Sequence, residues 1–158
     1  MRLVTLGVLT LLAALLVQAP AGARSIDTAG KPGPGVMYGG FTRDGWPVVV
    51  ELSRNHKSVK QAGVGLSLKC NVGGYDYEQD YYRDMPLKKR QFKASFGPYR
   101  QDYSDGSFDV YSGTADGKAN RAWTKLSGTW QLHVSEHNSA GAVVAECESG
   151  TVSWTVKQ

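Results

Sequence analysis

From Val36 onward the chain alternates apolar and polar residues with a period of two, and no stretch sustains a helical period. Val48, Val50 and Leu52 alternate with Val49, Glu51 and Ser53, and Val64, Leu66, Leu68 and Cys70 with Gly65, Ser67 and Lys69. The pattern returns at Phe92, Ala94 and Phe96, at Trp130, Leu132 and Val134, at Val143, Ala145 and Cys147, and at Val152, Trp154 and Val156. Successive side chains of a strand point to opposite faces, so each run reads as a strand with one buried face. Turn-forming residues separate the runs: Arg54-Asn55-His56-Lys57, Met85-Pro86, Asp105-Gly106, Asp116-Gly117 and Asn138-Ser139-Ala140-Gly141. Short strands with frequent turns form an antiparallel meander. The fold class is therefore all-β, an antiparallel β-sandwich or small closed β-barrel of roughly eight to ten strands. Ser-Gly-Thr occurs at Ser112, Ser127 and Ser149, at unequal spacings that exclude a solenoid. Each triplet reads as a bulge or as the point where a strand rejoins the sheet.

The longest apolar stretch, Leu3 to Val17, follows Met1 and Arg2 and leads to Ala21-Gly22-Ala23. A charged start, an apolar run short for a bilayer and a small-x-small exit describe a secretory signal peptide over residues 1–23, cleaved after Ala23. Residues 24–35, rich in Gly and Pro, read as a flexible arm, and residues 36–158 as a single all-β domain. No second apolar run follows, so the mature form is expected to have no membrane span and to be secreted to the extracellular space.

Export changes the meaning of the cysteines. Cys70 and Cys147 are the only two, both on the apolar face of their strands, and an oxidising compartment favours one inter-strand disulfide. A bridge across that span is worth roughly 4 to 5 kcal/mol on a chain-entropy argument.

Tyr38-Gly39-Gly40-Phe41-Thr42 with Gly45-Trp46-Pro47-Val48-Val49-Val50, the central Cys70, Ser127-Gly128-Thr129-Trp130 and the ending Cys147-Glu148-Ser149-Gly150-Thr151-Val152-Ser153-Trp154 carry a resemblance. The chain resembles small exported actinobacterial all-β proteins with no assigned activity. The resemblance implies a fold and a secreted location and carries over no catalytic residue.

Several strings touch on chemistry. His133-Val134-Ser135-Glu136-His137 has the letters of the H-x-x-E-H metalloprotease motif, which needs a helix to aim both imidazoles at one metal. On a strand those histidines lie about 13 Å apart along the chain, so no metal is expected. Glu78-Gln79-Asp80 resembles part of the E-x-D-x-x-E signature of β-sandwich glycosidases, but Arg83 stands at the closing position. Asp76, Glu78 and Asp80 alternate with Tyr75, Tyr77 and Tyr81, which sets three carboxylates on one strand face and three phenols on the other. Calcium could use such oxygens, yet the Gly and Asp/Asn spacing of a calcium loop is missing. Charge pairing with Lys88, Lys89, Arg90 and Lys93 on an antiparallel neighbour beyond Met85-Pro86 is the favoured reading. No G-x-S-x-G elbow, free thiol or Gly-rich phosphate loop occurs, so no catalytic residue and no cofactor is assigned. A net charge of +4 without a basic stripe argues against nucleic acid.

The tyrosines are the feature least explained by folding. Tyr75, Tyr77, Tyr81, Tyr82, Tyr99 and Tyr103 fall in or beside expected loops, and Trp123 has outward strand parity. Exposed aromatic rings with polar tips suit a protein or sugar ligand. The leading reading is a secreted, non-catalytic binding module for an extracellular protein, a cell-wall glycan or a protease. The alternatives are a small secreted hydrolase with a site assembled from distant residues, and a structural envelope-associated protein.

Overall fold

The computed structural model describes residues 35–158, so the signal peptide expected over 1–23 and all of the arm but Gly35 lie outside the described residues. The described chain is all-β. Its strands are β1 (Val36–Thr42), β2 (Pro47–Leu52), β3 (Ser58–Cys70), β4 (Tyr75–Pro86), β5 (Gln91–Asp102), β6 (Phe108–Ala119), β7 (Lys125–His137), β8 (Val143–Glu148) and β9 (Val152–Lys157). No helix among the described residues is long and apolar enough to cross a membrane.

Two long strands organise the topology. On one side β3 pairs with β4 from Ser58 to Lys69. On its other side β2 takes Val59 to Val64 and β8 takes Lys69 and Cys70. Strand β7 repeats the arrangement: β6 runs along one side, while β9 pairs with Lys125 to Trp130 and β8 with His133 to His137. Because β1 joins β2 to β9, the strands β3-β2-β1-β9-β7-β8 close into a six-stranded barrel. Closure leaves β4 and the β5–β6 hairpin as wings on β3 and β7, and among the described residues β4 and β5 share no ladder.

The alternation read from the sequence sets the core. Val48, Val50, Leu52, Val64, Leu66, Leu68, Leu126, Trp130, Leu132, Val134, Val152, Trp154 and Val156 all point inward and are buried. Cys70 and Cys147 face each other across the β3–β8 ladder and form the expected disulfide.

Some local expectations fail. Asp116-Gly117 is no turn but lies inside β6, and the Ser112 and Ser127 triplets sit in regular ladder, with Gly113 opposite Leu132 and Gly128 opposite Gly117. The register shifts fall elsewhere, at Glu51/Leu52, Phe96/Tyr99 and Glu136/His137. Gly128 is needed for contact: a Cβ there would lie 1.9 Å from the Asp116 carbonyl oxygen. In the third triplet Gly150 sits in the β8–β9 turn with φ of 59°.

Candidate functional site on the two faces of strand β4

Strand β4 carries the acidic and aromatic alternation, and the fold gives each of its faces a different environment. From Tyr75 to Arg83 the odd-numbered residues point outward. Tyr75, Tyr77 and Tyr81 are 68%, 62% and 58% exposed, and each is paired through β3 with a short side chain or a lysine stem: Tyr75 with Lys69, Tyr77 with Ser67 and Tyr81 with Gly63. Trp46 leans over Gly65 and its ring lies 5.2 Å from that of Tyr77, while the Arg83 guanidinium sits 5.5 Å above the Tyr81 ring. The same outer wall continues across the barrel. Gly63 pairs with Val49 and Val49 with Gly39, so Tyr81, Val49 and the flanking glycine backbone lie in one row. Met37 and Phe41 project from β1 on that side at 54% and 64% exposure.

The even-numbered residues from Asp76 to Tyr82 point inward, toward the gap between β4 and the β5–β6 hairpin. Tyr82 is buried there, with its ring 5.1 Å from Trp130 and 5.2 Å from Phe96. Phe96 leads on to Tyr99, and Tyr99 stacks on Tyr111 at 5.0 Å and 8°, so a chain of rings runs from the core to the mouth of the gap. Carboxylates fill the space beside it. Asp80 accepts from the Trp130 Nε1–H at 2.7 Å. The Tyr111 hydroxyl lies 3.2 Å from both Glu78 and Asp109, and the Tyr103 hydroxyl donates to Asp109 in a short bond. Glu136, on the inward face of β7, brings an oxygen 3.4 Å from the Cys147 sulfur. A disulfide sulfur has no hydrogen, so this contact is a hydrogen bond only when Glu136 is protonated and donates.

The electrostatics follow from this crowding. Burial raises the Asp80 carboxyl above the ordinary range, against the opposing pull of its bonds from Trp130 and the Tyr81 N–H. Glu136 is raised first by desolvation and then by the negative charges of Asp109 and Asp76. Tyr82, Tyr103 and Tyr111 are all pushed up, chiefly by burial and then by neighbouring acids and phenols.

The sequence-derived residues are thus divided. Tyr75, Tyr77 and Tyr81 form one exposed group, but on a strand and not in loops. Tyr99 and Tyr103 belong to the inner gap. Tyr82 is no surface residue: its even parity carries it into the core beside Trp130. Trp123 is not on a strand; it lies in the β6–β7 turn with φ of 58°, stacks on His56 at 4.1 Å, and its carbonyl accepts from the Tyr38 hydroxyl at 2.6 Å. The charge pairing expected with Lys88 to Lys93 does not form at Asp76 or Asp80 among the described residues, because the ladder partner of β4 is β3 and not β5. Sequence reading missed Asp109, Tyr111 and Glu136. Their strand parity was readable, but which strands share a gap depends on pairing across the barrel. His133 bonds Glu146 at 2.8 Å, whereas the His137 ring stacks on Phe108 and its Nε2 lies 3.1 Å from the Ser135 hydroxyl.

Comparison with protein-family models, with curated proteins and with solved structures finds no match to this chain.

Proposed function

We propose that the protein is an exported, non-catalytic binding module whose recognition surface is the outer wall of β1, β2, β3 and β4. One observation carries this reading. Met37, Phe41, Val49, Tyr75, Tyr77 and Tyr81, all at least 46% exposed, project from the same face of β1, β2 and β4, with β3 between β2 and β4 presenting Gly63, Gly65 and Ser67 on that face. Scattered exposed apolar residues are ordinary, but a contiguous patch marks an interaction site. The mixture of aliphatic Val49 and Met37 with tyrosines and Arg83 suits a protein partner better than a sugar, since Tyr, Met and Arg are enriched at protein interfaces. The edge of β4 is a poor template for strand addition, because Asp76 and Asp80 accept from the backbone N–H groups of Tyr77 and Tyr81 and so occupy two of its donors. Side chains, not the strand edge, do the recognising. The disulfide accords with export, as such bridges persist in oxidising compartments.

The test is a Tyr77→Ser, Tyr81→Ser double variant compared with wild type in pull-downs from culture fluid and on a glycan array. Both rings are solvent-facing, so the melting temperature should stay within a few degrees while partner capture is lost. Retained capture by the double variant, or capture of glycans alone, overturns the reading of this wall as a protein-binding face.

A further inference from the structure

The inner gap bounded by β4, β7 and the β5–β6 hairpin is built differently from the outer wall. It gathers Asp76, Glu78 and Asp80 from β4, Asp109 from β6 and Glu136 from β7 around the ring chain of Phe96, Tyr99 and Tyr111. Among the described residues no lysine or arginine pairs with Asp76, Asp80, Asp109 or Glu136. The donors that reach Asp76, Asp80 and Asp109 are few: one indole N–H, two phenol hydroxyls and two backbone N–H groups. Tyr111 offers a single proton to two carboxylates.

A second observation is independent of the charge. The Tyr82 side chain is 8% exposed and its hydroxyl has no hydrogen-bond partner. It stands on the same β4 face as the acids, beyond Asp80, and it faces Asp80 and Tyr99. Buried polar groups are nearly always paired, because an orphan has lost its water and gained nothing in return. An unpaired hydroxyl at the inner end of an acid-lined gap marks a place where a ligand atom belongs.

We propose that this gap is a binding site for a guanidinium group, the side-chain head of an arginine on a partner polypeptide. The choice among cations follows from spacing. A calcium ion needs six to eight oxygens at roughly 2.3–2.6 Å, which brings ligand atoms close to one another. Among the described residues, the only set of three such groups whose atoms converge within 4.8 Å is Cys70, Glu136 and Cys147, and its sulfurs are consumed by the disulfide. Carboxylates spread more widely fit a planar ion that holds five N–H donors in a fork, and the Tyr99 ring, 42% exposed, supplies aromatic surface beside them. This site is separate from the outer wall and does not rest on the function proposed for it.

The probe is N-acetyl-L-argininamide, with its uncharged isostere N-acetyl-L-citrullinamide and calcium chloride as the other two arms, each titrated into the full chain and followed by amide chemical shifts. Saturable shifts confined to residues 76–82, 96–111 and 136 are expected with the arginine probe alone. Glu136→Gln should weaken that binding about tenfold, and Tyr82→Phe several-fold, while leaving shifts outside the gap unchanged. Equal response to the citrulline probe, response to calcium only, no saturable response, or unaltered affinity in both variants each overturns the proposal.

Discussion

Glu136 shows how one residue can be legible in type and illegible in role. In the sequence it sits inside a spurious histidine motif; in the fold it stands on the inward face of β7 against the disulfide, with Asp76 and Asp109 near enough to raise its pKa. A carboxyl with a folded pKa above its unfolded value binds its proton more tightly when folded. Below the ordinary carboxylate range both states are protonated and Glu136 carries no penalty. As pH rises from the unfolded pKa through the raised folded one, the unfolded state releases its proton first and folding stability falls. Glu136→Gln removes that titration. The variant should match wild type in melting temperature at acidic pH and exceed it at neutral pH, the difference opening through the carboxylate range. Thermal melts across a pH series check this, and a variant less stable than wild type at neutral pH would show that the ionised form is held favourably.

At the scale of elements, parity was the readable quantity and pairing was not. Period-two alternation located the strand cores and placed both cysteines inward, because burial of one face is imposed on every half-buried strand alike. It also implied that Asp76, Glu78 and Asp80 would part from Tyr75, Tyr77 and Tyr81 to opposite faces, as they do. What alternation does not encode is the neighbour. A hairpin partner across Met85-Pro86 was the local choice, yet β3 won β4 because its thirteen residues supply a ladder almost the full length of β4. Glycine misled for a related reason: Asp116-Gly117 and Ser127-Gly128-Thr129 look like turns, but these glycines let β6 and β7 approach in register, with Gly117 opposite Gly128. A methyl group on Gly128 would meet the Asp116 carbonyl at 1.9 Å and the Gly117 Cα at 2.7 Å, both backbone atoms that no rotamer can move. Gly128→Ala should therefore cost about 3 kcal/mol or more, by analogy with overpacked sites. Gly39→Ala, where nothing lies within 4 Å, should cost less than about 1 kcal/mol and serves as the control in denaturant melts. Equal losses in the two would assign the effect to backbone freedom and not to the contact.

For the whole molecule, the decisive feature is how the barrel closes. Strand β8 joins β7 through five register pairs, from His133 with Glu148 to His137 with Val143, but joins β3 through only two, Lys69 with Glu148 and Cys70 with Cys147. The β3–β8 joint is the shortest in the ring, and the disulfide lies in it. Its neighbours are Asn71 N–H to the Glu146 carbonyl at 2.9 Å and Glu146 N–H to the Asn71 side-chain oxygen at 3.0 Å. Two effects of the bridge can then be separated. Across a separation of 77 residues the restriction of the unfolded chain is worth about 4.5 kcal/mol, and its loss lowers global stability without favouring any site. Closure of a short joint acts locally, by holding β8 where ladder pairing is least. In a Cys70→Ala, Cys147→Ala variant, the melting temperature should fall, and amide exchange should rise first at Asn71 and Glu146 while the β3–β4 and β6–β7 ladders remain protected up to global unfolding. Uniform loss of protection would reduce the bridge to its effect on the unfolded chain. Selective opening at β8 would make the disulfide the latch of the barrel, and because Glu136 touches Cys147, it would also loosen one wall of the acidic gap.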